Sequence, residues 1–246
     1  MKIGLITLLP EMFSALSDFG ICGRAIREKL VELQLINPRD YTADKHRTVD
    51  DKPFGGGPGM LMKTEPLVAA IRDAKQKLGS NSKVVYLSPQ GKMINQAMIV
   101  EAAAEDSLIL VCGRYQGIDQ RVLESEIDEE WSLGDFVLSG GEFAAMAVVD
   151  AMIRRQPGAL GDEESALQDS FEEGLLHCPE YTRPQVFEGR EVPKVLLSGD
   201  HEAIRRWRIK QALATTRSKR PDLLANRELT AEQNELLAEV ERELTE

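Results

Sequence analysis

Three times in the middle of this 246-residue chain, an apolar strand-like run feeds a loop bearing glycine or proline and then a helical stretch. Residues 84–87 lead into SPQG, residues 108–112 into GRYQG, and residues 131–138 into SGG. Strands alternating with helices predict a largely parallel sheet, because parallel neighbours need a crossover long enough to hold a helix. Ligands of such sheets lie at the carboxyl ends of the strands, so the three loops are expected to share one edge. None carries GxGxxG with a downstream acidic residue, which argues against an ordinary dinucleotide site.

The third junction is the most informative. It reads SLGDFVLSGGE over residues 132–142 and runs into a helical stretch ending near Arg155. Gly134, Gly140 and Gly141 allow sharp turns and close backbone approach to a ligand. The unpaired N–H groups at the helix start then face the loop, which suits a ligand that takes backbone hydrogen bonds.

Elsewhere, residues 3–9 read as a buried strand closed by Pro10, residues 24–33 as a helix, and Leu35-Ile36 as a short strand. Residues 40–63 form a long charged segment containing GGGPG, with His46, Arg47, Asp50 and Asp51 ahead of the glycines and Met60, Leu61 and Met62 anchoring its far end. No Gly-Lys-Ser/Thr follows, so it is not a Walker loop. Helices are expected over residues 65–78 and 95–104, from about Asp119, and over 142–155. Residues 158–174 are polar and acidic, as a linker or lid would be, and taken alone Asp169 reads as a solvated or capping carboxylate.

From Leu176 onward, prolines 179, 184 and 193 punctuate an extended region. Ser198-Gly199-Asp200 then caps a helix carrying Arg205, Arg206, Arg208, Lys210 and Arg217. Arg206, Lys210 and Arg217 share one helical face beside Trp207. A Glu-rich amphipathic helix over residues 230–244 closes the chain. The formal net charge of -11 argues against generic polyanion binding, so a local basic stripe is the candidate phosphate-contacting surface. Cys22, Cys112 and Cys178 have no metal-type spacing and read as reduced, buried thiols of a cytoplasmic protein. Neither an export signal nor an apolar run long enough to span a membrane is evident.

Seven segments in order, LLPEMF (8–13), PFGGGPGM (53–60), YLSPQG (86–91), CGRYQGIDQRV (112–122), SLGDFVLSGGE (132–142), CPEYTRP (178–184) and LLSGDH (196–201), resemble the bacterial tRNA (guanine-N1)-methyltransferases of the TrmD family. The resemblance implies an α/β fold of the SPOUT type, with a largely parallel sheet and a deep trefoil knot, plus a small, mainly helical C-terminal domain. It divides the chain into a cofactor domain over residues 1–160, a flexible linker over 161–176 and a tRNA-binding domain over 177–246. It further implies a homodimer with active sites at the subunit interface. The reaction implied is methyl transfer from S-adenosylmethionine to N1 of the guanosine immediately 3′ of the anticodon, with magnesium as a candidate helper.

By the same resemblance Asp169 is the general base, and Arg154 stabilises charge on the guanine O6. The cofactor residues implied are Tyr86, Leu87, Ser88, Pro89, Gly113, Tyr115, Leu133, Gly134, Asp135, Phe136, Val137, Leu138, Gly140 and Gly141, with His46 and Asp50 as substrate contacts. The chain departs from the family pattern at Gln116, Phe136, Ala144, His177 and Glu180. Gln116 and His177 count against a metal contact that needs carboxylates there. A non-catalytic RNA-binding protein on the same scaffold is the alternative reading, and the retention of Arg154 and Asp169 argues against it.

Overall fold

The computed structural model describes residues 1–161, 168–225 and 227–243. Residues 162–167 of the expected linker and Leu244 of the expected last helix lie outside the described residues. The chain forms two compact units, Met1–Glu163 and Glu164–Glu246.

Strands β1 (Lys2–Ile6), β2 (Glu32–Ile36), β5 (Lys83–Met93), β6 (Ser107–Cys112) and β7 (Glu129–Ser132) make the sheet of the first unit, in the order β2-β1-β6-β5-β7. Every pairing is parallel. The two-residue strands β3 (Asp50–Asp51) and β4 (Leu61–Met62) pair separately and close the long charged loop.

Strand β6 shows why its residues form this sheet. Its apolar run is unbroken, so both faces can be covered by helices. Leu108, Leu110 and Cys112 point into one core and Ile109 and Val111 into the other. Helices α1 (Ser14–Ser17), α2 (Gly20–Arg27), α4 (Gln96–Ala103) and α6 (Glu142–Ile153) fill the first core, and α3 (Thr64–Leu78) and α5 (Gln120–Glu126) the second. Helix α6 is apolar on most sides, with Ala145, Val148, Val149, Met152 and Ile153 buried.

Several boundaries differ from expectation: the strand expected over residues 3–9 ends at Ile6, and the short strand expected at Leu35-Ile36 begins at Glu32. The helix expected over 24–33 spans only Gly20–Arg27, because Lys29 takes a left-handed conformation (φ 60°) and the chain then enters β2. Strand β5 continues through the SPQG segment, leaving register between Leu87 and Lys92 before rejoining β7. Gly91 marks the return, since a Cβ there would collide with the Glu130 and Trp131 backbone. The third strand ends at Ser132, and the apolar residues Phe136, Val137 and Leu138 never enter the sheet.

The second unit holds a hairpin of β8 (Val186–Phe187) and β9 (Arg190–Glu191) and helices α7 (His201–Lys219), α8 (Asp222–Ala225) and α9 (Ala231–Glu243). Asp200 caps α7 by accepting from the Glu202 and Ala203 amides. Thr230 and Gln233 cap α9 reciprocally, each accepting the other's amide through its side chain. Leu175, from the end of the expected linker, is buried with Leu213 and Leu236 in this unit's core.

Candidate functional site

Because β6, β5 and β7 are adjacent and parallel, the loops leaving their carboxyl ends converge on one cleft of about 230 Å³. Its walls are Tyr86, Leu87, Ser88 and Pro89 from the first loop, Gly113 and Tyr115 from the second, and Leu133, Gly134, Phe136, Val137, Leu138, Gly140 and Gly141 from the third. Of the cofactor residues expected from sequence, Asp135 alone is not part of this lining. Phe136 and Val137 form an exposed apolar lip, 54% and 85% accessible.

Two close approaches shape the cleft. The Gly141 amide donates to the Gly113 carbonyl at 2.9 Å, tying the third loop to the second. A Cβ on Gly141 would lie 2.8 Å from the Cys112 Cα. Its backbone is ordinary, at φ -75°, so space alone excludes a side chain. At Gly113 a Cβ would come within 2.6 Å of the Tyr86 hydroxyl, so the glycine leaves room for that ring. Burial, helped by nearby Glu130, pushes the Tyr86 phenol up to about 12, keeping it neutral. Gly141→Ala is expected to destabilise the chain by about 1–3 kcal/mol through overpacking. The urea midpoint should fall, and an unchanged midpoint would show that the two loops can separate freely.

Beneath the glycines lies a polar anchor that the sequence reading passed over. Glu142 is fully buried at the start of α6 and accepts from the Thr7 hydroxyl at 2.9 Å. Its Oε2 lies 2.9 Å from Arg114 Nη2, a charge contact whose angle is too poor for a hydrogen bond. Arg114 Nη1 donates to the Ser139 carbonyl at 3.3 Å. One ion pair therefore spans the second and third loops. The available signal was an acidic residue in the first turn of an otherwise apolar helix, directly after two glycines. Trp131, Ser132 and Gly117, not named as cofactor residues, also line the cleft, as do Gln116 and Ala144, noted from sequence only as departures from the family pattern.

The other expected residues are placed elsewhere. His46 is exposed in a turn held by Asp44, and Asp50 pairs with Met62; neither lines the cleft. The far end of their loop is nonetheless stitched to the second loop, with the Gln116 amide donating to the Met60 carbonyl and the Met62 amide to the Gly117 carbonyl. Arg154 follows α6 as its C-cap, half-buried, with its amide bonded to the Asp150 carbonyl. Asp169 is exposed in the second unit, on the rim of a cavity of about 430 Å³ that is also lined by His177, Cys178, His201 and Arg208.

The basic stripe does not stand clear as expected. Arg206 pairs with Glu235 and Glu239, Lys210 with Glu239 and Glu243, and Arg217 with Glu241. The Glu-rich α9 lies against α7 and neutralises that face. Trp207 packs near Tyr181, ring centroids 6.3 Å apart, which fastens the CPEYTRP segment to α7. Exposed Arg183, Arg190 and Lys194 lie before α7, Arg190 on β9 and Lys194 at the start of a 3-10 turn.

Among the described residues, His177, Cys178 and Glu180 bring one ligand atom each within 4.8 Å of one another. His177 Nε2 and Glu180 Oε1 are 2.8 Å apart. Two ligands of a tetrahedral zinc ion stand roughly 3.4 Å apart, so this pair is hydrogen-bonded to itself and would have to open to admit metal. The three cysteines are free thiols, and no described helix is long and apolar enough to cross a membrane.

A family model described as tRNA (Guanine-1)-methyltransferase TrmD matches residues 1–226. A protein of Escherichia fergusonii named tRNA (guanine-N(1)-)-methyltransferase is 59% identical over 243 residues, covering 99% of this chain and 95% of its own. One of the same name from Shewanella woodyi is 58% identical over 239 residues, covering 97% and 96% respectively.

Proposed function

From the premise that this chain belongs to the tRNA (guanine-1)-methyltransferase family TrmD, we propose that it transfers the methyl group of S-adenosylmethionine to N1 of the guanosine immediately 3′ of the anticodon in tRNA. The observation that carries the reading is the cleft itself. Three strand-end loops meet there with glycines at the closest approaches. Such a cradle suits an adenosine and an amino-acid tail, which take backbone hydrogen bonds.

S-adenosylmethionine supplies an activated sulfonium methyl group. The chain's task is therefore to place the guanine in line with it and to remove the N1 proton. In this reading Asp169 accepts that proton, and the freed N1 lone pair forms the N–CH3 bond as the S–CH3 bond breaks. Arg154 stabilises the charge that grows on O6. His46 and Asp50 contact guanine bases from the long loop, and Asp135 belongs to the cofactor loop. Asp169 and Arg154 belong to different units, so the reading includes assembly of the site when tRNA binds.

The two positions considered for magnesium are poor sites for that cation, which favours carboxylate oxygens. Gln116 offers an amide, and its side chain fills the space beside Gly59. The His177 imidazole is engaged with Glu180. Neither position supplies a carboxylate.

The reading further includes a deep trefoil knot at the third loop, and a homodimer, supported by exposed Phe19, Phe136, Val137 and Phe143 on the first unit. The C-terminal unit, beyond a linker over residues 161–176, binds tRNA. With the α7 stripe already paired, Arg183, Arg190 and Lys194 are the better phosphate contacts. Free thiols suit the cytoplasm, where the reading places the protein.

Titration calorimetry with S-adenosylmethionine tests the cofactor half of this reading. Saturable binding of one cofactor per cleft is expected, weakened in Gly141→Ala. Failure of the chain to bind it would contradict the reading.

A further inference from the structure

The segment that carries Asp169 is closed on itself by its own hydrogen bonds. The Phe171 amide donates to the Leu175 carbonyl at 2.7 Å, and the Gly174 amide to the Phe171 carbonyl at 3.0 Å. Phe171 and Gly174 both take left-handed conformations, φ 76° and 71°. For glycine this is ordinary, but at Phe171 it is strain, which persists only where surrounding contacts hold it. The far end of the segment is firmly seated. Leu175 is buried in the helical core, and the Leu176 amide donates to the hydroxyl of buried Thr216 on α7 at 2.9 Å.

His177 is the next residue, and it reaches back to both neighbours of Asp169. Its amide donates to the Ser170 hydroxyl oxygen at 2.9 Å. Its ring Nδ1 lies 2.6 Å from the Gln168 carbonyl oxygen, and Nε2 lies 2.8 Å from Glu180 Oε1. A carbonyl and a carboxylate can only accept, so both ring nitrogens donate and the ring is held as imidazolium. The Glu180 hydrogen bond raises the His177 pKa, against the opposing effect of burial, with smaller support from the Gln168 contact and Asp169.

We propose that His177 is a positioning residue for Asp169: its Nδ1–H fixes the Gln168 carbonyl and its amide fixes Ser170, so the carboxylate between them is presented from a closed loop seated on α7. This rests on the reading of Asp169 as the base. Glu180 orients the ring from its other nitrogen. The Cys178 thiol, kept neutral chiefly by burial, lies beside this pair, 3.8 Å from His177 Nε2 and 3.9 Å from Glu180 Oε1.

The two amide substitutions separate the ring nitrogens. In His177→Asn the side-chain Nδ2 occupies the place of Nδ1 and still reaches the Gln168 carbonyl, whereas in His177→Gln the amide nitrogen replaces Nε2 and meets only Glu180. Single-turnover methyl transfer, with cofactor and tRNA both saturating, is measured for His177→Ala, His177→Gln, His177→Asn and, in parallel, Asp169→Asn. His177→Ala and His177→Gln are expected to slow transfer by about 10- to 100-fold with unchanged cofactor affinity, as misplacement of a catalytic group does. His177→Asn should recover most of the rate. Wild-type rates in His177→Ala, or equal losses in the Asn and Gln variants, would overturn the proposal. Wild-type transfer in Asp169→Asn would instead remove the base assignment on which it rests, so the two failures are distinguishable.

Discussion

Asp169→Ala is expected to lower single-turnover methyl transfer by about 10²- to 10⁴-fold, the usual contribution of a positioned general base, while cofactor affinity stays as it was. Guanine N1 carries a proton at neutral pH, and its lone pair is unavailable until that proton leaves. Asp169 is exposed and outside the Leu175–Leu213–Leu236 core, so truncating it removes little packing. Raising the pH toward the range where N1 ionises unaided should recover part of the loss, because solvent then replaces the missing base. A parallel loss of cofactor binding, or no recovery at high pH, would mean that Asp169 acts structurally.

Glu142→Ala carries the second large effect, on stability and on the cleft together. Glu142 is wholly enclosed, and its partner Arg114 is largely so. Removing one member of a buried pair leaves the other charge without its counterion, which costs about 3 kcal/mol or more. Thr7 also loses its acceptor, and Arg114, which holds the Ser139 carbonyl, loses its fixed position. The urea unfolding midpoint should drop and affinity for S-adenosylmethionine should fall with it. Glu142→Gln keeps an oxygen for Thr7 and removes the charge, so it should lie between the two. A Glu142→Ala chain as stable as wild type would show that water reaches Arg114 and that the pair anchors nothing.

Much of the first unit was legible from the sequence, and the reason is local. The unbroken apolar run of β6 and the glycine-bearing loops after three strands each state their own structure, and the parallel order brings them together. Strand ends were harder to read. Phe136, Val137 and Leu138 have the composition of a strand yet lie outside the sheet, because the chain turns away at Gly134, which takes φ 156°. Hydrophobicity marks a residue for burial somewhere, including against a partner, and does not say in which element.

Contacts between distant segments were the least legible. Arg206 and Lys210 read as a phosphate-facing stripe because each was judged within its own helix. The answering signal was present in Glu235, Glu239 and Glu243, spaced at the same four-residue interval on the last helix, and only packing of the two helices shows that they meet. Arg114 and Glu142 were hidden for the same reason, since nothing in either loop alone indicates that they share one enclosed space. His177 and Glu180 were noted as departures from a family pattern; their use as a clamp on the Asp169 segment becomes visible only in the hydrogen bonds.

The most direct test of the central claim is methyl transfer from labelled S-adenosylmethionine to an unmodified tRNA transcript, compared with the same transcript carrying adenosine in place of the guanosine 3′ of the anticodon. The account predicts label in the first transcript and none in the second. Equal labelling of both would contradict the assigned position, and labelling of neither would favour a scaffold that binds RNA without turnover.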